Sequence, residues 1–158
     1  MFTESAAQLR LLHHAAEEAV LGIAQHYCAE LEQPPTIAAA HYTLAGFYTY
    51  HHRRPELTNA LAKAQAHLQF ALQIQTRHLG QLHVSTLCSQ LVKAQVMLLQ
   101  NNTPGCGRLL TKQLEFCERT LSGRHPLAAK MLAVMARLQL KQKNDAECER
   151  LQQQVIKF

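Results

Sequence analysis

The sequence predicts an all-α protein of about seven helices that stack as antiparallel pairs. Three observations support this fold class: apolar residues recur at helical spacing, prolines separate the periodic segments, and similar residues return every 42 positions. No segment alternates apolar and polar residues as a half-buried strand does, and no Asn-Gly or Asp-Gly hairpin turn occurs. The 158 residues are expected to form a single domain, 1–158.

Composition narrows the class of protein further. Apolar residues make up 47% of the chain, while six Gly, five Pro and no Trp suit a helical globular protein rather than a disordered or fibrous one. No apolar run is long enough to cross a bilayer and the first residues lack a secretory signal, so a cytoplasmic location is predicted. Five cysteines without a CxxC pair are interpreted as small buried residues in a reducing compartment.

Breaks along the chain define the helices in order. Proline is tolerated in the first turn of a helix and disfavoured in its interior, so each proline is expected to mark a helix start. Together with Gly80, Gly123 and the Asn/Thr clusters, the prolines delimit seven segments. These segments are 4–31, 36–51, 55–79, 84–100, 105–121, 126–142 and 145–157.

An internal repeat organises the second half of the chain. Residues 77–116 align without a gap on residues 119–158, and at least ten of the forty pairs are identical, where about three would be expected by chance. Among the pairs are His83 with His125, Ala94 with Ala136, Asn102 with Asn144 and Cys106 with Cys148. A fixed period of this size in a helical chain indicates stacked helix pairs, in which small residues mark the helix crossings.

The repeats resemble a known family, the tetratricopeptide repeats, in the longer form found in kinesin light chains. Residues 71–83, ALQIQTRHLGQLH, are similar to that family's helix ending in Leu-Gly before the next helix start. His125-Pro126-Leu127-Ala128-Ala129-Lys130, the following Met135-Ala136, and Asn144-Asp145-Ala146-Glu147-Cys148-Glu149 extend the resemblance.

The resemblance implies a right-handed superhelix. Helix pairs would cover 36–79, 84–121 and 126–157, with 4–31 as an unpaired half-repeat. Ala45 is expected to be equivalent to Ala94, although the spacing between them is 49 residues, seven more than the period. About two additional turns are therefore expected to lengthen the helix 55–79, which leaves its register open.

The same resemblance implies a binding site on the concave face, which the first helix of each pair lines. A protein or peptide partner is expected there, and the net charge of +5 favours an acidic one. The candidate partner-binding residues carried over are Tyr42, Thr49, Tyr50, Cys88, Gln95, Lys130, Arg137 and Lys141.

Catalytic and metal sites are not predicted. The sequence contains no nucleophile elbow, phosphate-binding glycine loop or His-Glu-x-x-His motif, so no enzyme activity and no cofactor are expected. Adjacent histidines such as His13-His14 point about 100° apart on a helix and do not converge on one ion. His83 and His125, which begin helices at matched positions, are expected to cap or to pack between repeats.

Three interpretations of function remain open from the sequence. The first is an adaptor or scaffold that recruits a partner through the concave face. The second is a structural or regulatory subunit packed permanently in a larger assembly, or a homo-oligomer joined through solenoid ends, since the apolar Val155-Ile156-Lys157-Phe158 would otherwise be exposed. Nucleic-acid binding is the third interpretation, and it is not expected because the basic residues are scattered along the chain. A membrane partner is not expected either.

Overall fold

The computed structural model describes residues 11, 14, 15, 17–19, 22, 34–55, 57–120 and 125–157, and none of these belongs to a strand. The first of seven helices, α1, contains the described residues between Leu11 and Gly22. The others are α2 (Pro34–Tyr50), α3 (Ala60–His78), α4 (Val84–Leu99), α5 (Thr103–Thr120), α6 (Pro126–Lys141) and α7 (Asp145–Ile156). The all-α class and the number of helices are thus confirmed, while the predicted ends of the first helix, 4–31, lie outside the described residues.

The chain divides into two compact units, residues 1–81 and residues 82–158. Unit 1 contains α1, α2 and α3, and unit 2 contains α4, α5, α6 and α7. Within unit 2 each helix packs against the next one along the chain, and α4 also contacts α6. The superhelical arrangement and the single domain, 1–158, stay predictions.

Four of the five prolines lie in the first turn of a helix, as the sequence predicts. Pro34 and Pro35 open α2, Pro104 is the second residue of α5, and Pro126 is the first of α6. The backbone N–H groups of the first turn have no partner within the helix, so proline, which lacks this N–H, loses no hydrogen bond there.

Pro55 is the exception, and the prediction of a long helix 55–79 is wrong. The helix α3 begins only at Ala60, after a left-handed Asn59 (φ 59°), and it is preceded by turns in which the Leu57 N–H donates to the Arg54 carbonyl. The extra residues therefore lengthen the connection, which runs over 51–59 here and only over 100–102 between α4 and α5. Proline disfavours helical backbone at the residue before it, so a turn around Pro55 is the physically easier outcome.

Small side chains bring α2 and α3 together in unit 1. Ala45, Ala64 and Ala71 are fully buried, and Leu68 is buried with them. Tyr48 is also fully buried, and its hydroxyl donates to the carboxylate of Glu17 in α1. A buried phenol needs such a partner, so this hydrogen bond connects α1 to the interior of the pair.

Two histidines occupy the interface between α2 and α3. The Nδ1 atoms of His41 and His67 are 2.9 Å apart, so one ring donates to the other. The ring of His41 stacks on Phe70, and the ring of His67 stacks on Tyr48. Burial lowers the pKa of both histidines, and for His67 the neighbouring His41 lowers it further.

The two helix pairs of unit 2 share their helix starts and the turn between the helices at an offset of 42 residues, although α7 is shorter than α5. The helices α4 and α6 begin and end at equivalent positions, and α5 and α7 begin at equivalent positions. Each first helix ends with a left-handed residue, Asn101 (φ 64°) or Lys143 (φ 60°). Both positive-φ residues thus lie in breaks that the sequence predicts, between the segments 84–100 and 105–121 and between 126–142 and 145–157.

The asparagine that follows the left-handed residue ends the first helix of each pair and caps the second. The N–H of Asn102 donates to the Met97 carbonyl and closes α4, while its Oδ1 accepts from the Gly105 N–H and caps α5. The N–H of Asn144 bonds the Gln139 carbonyl in the same way, and its Oδ1 accepts from Glu147. This is a Schellman end followed directly by an Asn N-cap, which makes the turn tight.

The starts of the first helices also match. The side chain of His83 accepts from the Ser85 N–H, and the side chain of His125 accepts from the Leu127 N–H. The sequence-based expectation of a capping role for both histidines is confirmed. At the crossings, Ala94 and Cys106 are fully buried and Ala136 and Cys148 nearly so, as the small-residue pattern predicts.

No helix within the described ranges is both long enough and apolar enough to span a bilayer.

Replacing the left-handed residues by glycine should stabilise unit 2. A lysine side chain in left-handed backbone costs about 1 kcal/mol, which glycine does not pay, so Lys143→Gly should raise the free energy of unfolding by roughly 0.5–1 kcal/mol. Asn101→Gly should raise the free energy of unfolding by a smaller amount, because asparagine tolerates left-handed backbone. Urea denaturation checks both; the control Lys112→Gly, exposed within α5, should lose about 1 kcal/mol. Equal destabilisation by all three would contradict the assigned backbone.

The paired histidines should make unit 1 less stable in mild acid. Their folded pKa values lie below the ordinary histidine value of about 6.5, so the unfolded chain binds more protons near that pH. Stability is then fully present above about pH 7 and falls as the pH drops through 6.5, until the folded state also protonates. The groups that face the pair are Glu17, Lys63 and Tyr48, and Glu17 opposes the lowering at His67.

Urea denaturation at pH 7.5 and 5.5 measures this effect. The variant His67→Gln should show a smaller difference between the two pH values than the wild type. The matched variant is His78→Gln, an exposed histidine at the end of α3, which should keep the wild-type difference. A wild-type difference that survives His67→Gln would contradict the assignment.

Candidate functional site

Two helices of unit 2 carry most of the predicted partner-binding residues. Cys88 and Gln95 lie on α4 and are half-buried, while Lys130 and Arg137 lie on α6 and are exposed. Each residue on α4 is 42 positions before its counterpart on α6, so the four occupy equivalent places on neighbouring first helices. We call these four residues the first-helix surface.

The electrostatics of Cys88 link the two helices. Burial raises the pKa of its thiol, and the charge of Lys130 acts in the opposite direction. The two helices are in contact, and the Nζ of Lys141 on α6 reaches the carbonyl of Leu98, one residue before the position equivalent to 141 on α4. Near-equivalent positions of α4 and α6 are therefore spatial neighbours at this end.

The first-helix surface is basic. Neither α4 nor α6 contains an acidic residue, and Lys130 and Arg137 are both solvent-exposed. Positively charged side chains on helices that carry no carboxylates attract acidic groups on a partner.

Lys141, another predicted partner-binding residue, makes a contact inside the unit. Its Nζ donates to the carbonyl of Leu98 at 2.7 Å. Leu98 lies in the last turn of α4, where its carbonyl also accepts from the Asn101 N–H and where the helix dipole favours a cation. The structure thus gives Lys141 a role in connecting the two repeats.

The three remaining candidates lie in unit 1, on α2, and they differ in exposure. Tyr50 is 83% exposed and its ring contacts His51 edge-on, whereas Tyr42 is half-buried. Thr49 was expected to line a surface, but it is only 8% exposed and its hydroxyl donates to the Ala45 carbonyl. That expectation is corrected: the side chain satisfies a carbonyl of its own helix, as threonines do one turn away.

A groove between α6 and α7 was not among the predicted sites. It has a volume of about 380 Å³, and Arg137 contributes to its lining. Leu140 and Ile156, on its two sides, are 59% and 82% exposed. The full lining is Ala133, Ala136, Arg137, Leu140, Cys148, Gln152, Val155 and Ile156. We call it the terminal groove.

The repeat contained a signal that could have located this groove. Leu140 is 42 residues after Leu98, which is buried, and Gln152 is 42 residues after Leu110, which is also buried. Of these two positions Leu140 is apolar but exposed, which indicates a surface without a neighbouring helix, and Gln152 is polar. Val155 and Ile156 are recognisable as apolar in the sequence, but the sequence does not show which helix lies opposite them.

The thiols of unit 2 are poorly suited to nucleophilic chemistry. Burial raises the pKa of Cys88, Cys106 and Cys117, which keeps these thiols protonated, and the thiolate is the reactive form. Among the described residues, no three His, Cys, Asp or Glu side chains are grouped so that they could hold a metal ion.

Comparison with known proteins finds no matching family model, no matching curated protein and no matching solved structure. The evidence for function is therefore the geometry of the chain itself: a duplicated helix pair with a basic first-helix surface and an open terminal groove.

Proposed function

We propose that this chain is a non-catalytic protein-interaction module, an adaptor or scaffold that binds an acidic peptide or partner helix on the first-helix surface. The observation that carries the proposal is the alignment of equivalent positions on α4 and α6. It places the exposed cations of α6 at positions equivalent to the half-buried Cys88 and Gln95 of α4, on two helices that contact each other. In this proposal the chain resembles a tetratricopeptide-repeat protein, with the first helix of each pair lining the binding face.

Local chemistry supports binding rather than catalysis. Burial raises the pKa of the half-buried Cys88 thiol, which disfavours the nucleophilic thiolate, and the exposed Lys130 can attract a carboxylate. Charged side chains at the edge of a binding surface speed up the first encounter with a partner and help to select it. The proposal therefore includes no cofactor and no bound metal.

A second candidate function rests on a separate observation. The exposed Leu140 and Ile156 leave apolar area on one side of α6 and α7, which a permanent partner in a larger assembly or a homo-oligomer would cover. Light scattering separates the two: a monomer at micromolar concentration favours the adaptor, and a stable oligomer favours the assembly subunit. Nucleic-acid binding is a weaker alternative, distinguished by a steep fall of affinity with salt.

Reversing the charge of the first-helix surface should weaken binding to acidic peptides. We expect Lys130→Glu with Arg137→Glu to lower affinity at least tenfold, or ~1.4 kcal/mol, for peptides selected by the wild type from an array of acidic and charge-inverted sequences. Fluorescence anisotropy with the selected peptides gives the affinities.

The matched control places the same charge change on another helix. Arg108 and Lys112 are exposed on α5, so Arg108→Glu with Lys112→Glu alters the net charge equally and should leave the affinity within about twofold. Equal losses in both double variants would mean that net charge, and not this surface, attracts the peptide. Selection of basic peptides by the wild type would reject the proposal.

A further inference from the structure

The terminal groove has a filled counterpart inside the same unit. The groove between α4 and α5 is occupied by α6, whose Met131 is fully buried there with Leu127, Val134 and Leu138. The Cys117 thiol of α5 lies 3.9 Å from the Met131 sulfur, which shows how closely α6 is seated. The repeat thus contains one example of a helix bound in this type of groove.

The two grooves are built from equivalent positions. Leu91, Leu98 and Leu110 of the filled groove are buried. Their counterparts 42 residues later are Ala133, Leu140 and Gln152, of which the first is half-buried and the others are exposed. The two pairs share their helix starts and the left-handed residue between the helices. The difference in exposure therefore follows from α6, which covers the first groove, whereas no helix among the described residues covers the second.

We propose that the terminal groove is a docking site for an amphipathic helix of a partner protein. The partner helix presents an apolar stripe with the spacing of the buried face of α6 and a carboxylate opposite Arg137. The groove continues a series of helix contacts already present in the unit, which is the reason to expect a helix and not an extended peptide. The terminal groove shares Arg137 with the first-helix surface, but its seven other lining residues do not belong to that surface.

Charge specifies the partner further. Arg137 is the single charged residue among the eight that line the groove, and its counterpart in the filled groove is the uncharged Gln95. The helix α6 contacts α4, and Lys141 of α6 bonds the carbonyl of Leu98, one residue before the position equivalent to 141, so a helix seated like α6 brings near-equivalent positions together. In the terminal groove, the residue of the partner helix that corresponds to position 137 therefore lies beside Arg137, where a carboxylate is favoured and a cation is repelled.

Synthetic peptides with the sequence of this chain's own α6 test the idea. One peptide has the sequence of residues 125–142, and the other has the same sequence with Arg137→Glu. With the full chain, we expect the peptide carrying Glu to bind at least tenfold more tightly than the unaltered peptide. In the chain variant Arg137→Glu the preference should reverse.

Variants of exposed apolar residues locate the peptide. Leu140→Gln with Ile156→Gln should weaken binding of the Glu peptide at least tenfold, since burial of an apolar side chain contributes about one order of magnitude in affinity. Both residues are exposed, so these changes should leave the helical circular dichroism signal intact. The matched control, Leu82→Gln, removes an exposed leucine elsewhere in unit 2 and should have no effect.

NMR chemical shifts of methyl groups show where on the chain the peptide binds, and sedimentation shows whether the chain alone forms a dimer. Shifts at Leu140, Val155 and Ile156 on peptide addition support the proposal, whereas shifts at Leu91 and Leu110 would mean that the peptide displaces α6 and would overturn it. Loss of binding in Lys130→Glu but not in the Leu140/Ile156 variant would place the peptide on the first-helix surface and also overturn it.

Two further results would reject a partner helix in the groove. One is the absence of binding by either peptide at millimolar concentration. The other is a concentration-dependent dimer of the chain alone that Leu140→Gln with Ile156→Gln abolishes, since a second copy would then be the occupant.

Discussion

The short connection within each helix pair is the constraint on which unit 2 depends. A left-handed residue ends the first helix, and the asparagine that follows it closes that helix with its N–H and caps the next one with its Oδ1. This fixes where the second helix starts, because a single residue bonds a carbonyl at the end of one helix and an N–H at the start of the next. Small side chains such as Ala94 and Cys106 consequently meet where the two helices cross.

Repetition of that connection explains why the two surfaces of the unit differ in character. Stacking α6 on the first pair buries the apolar positions of α4 and α5 and aligns the polar outer positions of α4 with those of α6. The last pair has the same positions but no helix stacked on it among the described residues. An interior face in one repeat thus becomes an open groove in the next, with Arg137 at the border between the groove and the basic surface.

Unit 1 solves the same packing problem with different chemistry. Its two long helices also meet through small residues, Ala45 and Ala64, but a pair of hydrogen-bonded histidines stands in the interface. The aromatic rings of Tyr48 and Phe70 stack against these histidines, and Glu17 of α1 accepts from the tyrosine. Polar groups buried in this way must remain paired, which makes unit 1 sensitive to protonation where unit 2 depends on apolar burial.

The amino-acid sequence by itself determined the helices, most of their starts and the 42-residue period. Proline in the first turn, the capping residues His83 and Asn144, and apolar spacing along a helix all act within a few residues of chain, so they can be recognised without a structure. The turn around Pro55 was missed because two local conformations, a helix start and a turn, suit a proline equally well.

Only the tertiary structure decided which equivalent residues are covered and which are open. Leu98 and Leu140 are identical in type and in repeat position, yet one is buried and the other exposed. Thr49, expected on a binding face, is buried and bonds the Ala45 carbonyl, and the exposed Lys141 bonds the carbonyl of Leu98 on the neighbouring repeat. Burial depends on the neighbouring helix and not on the residue, so a pattern read along one chain segment cannot distinguish an interior face from a docking surface.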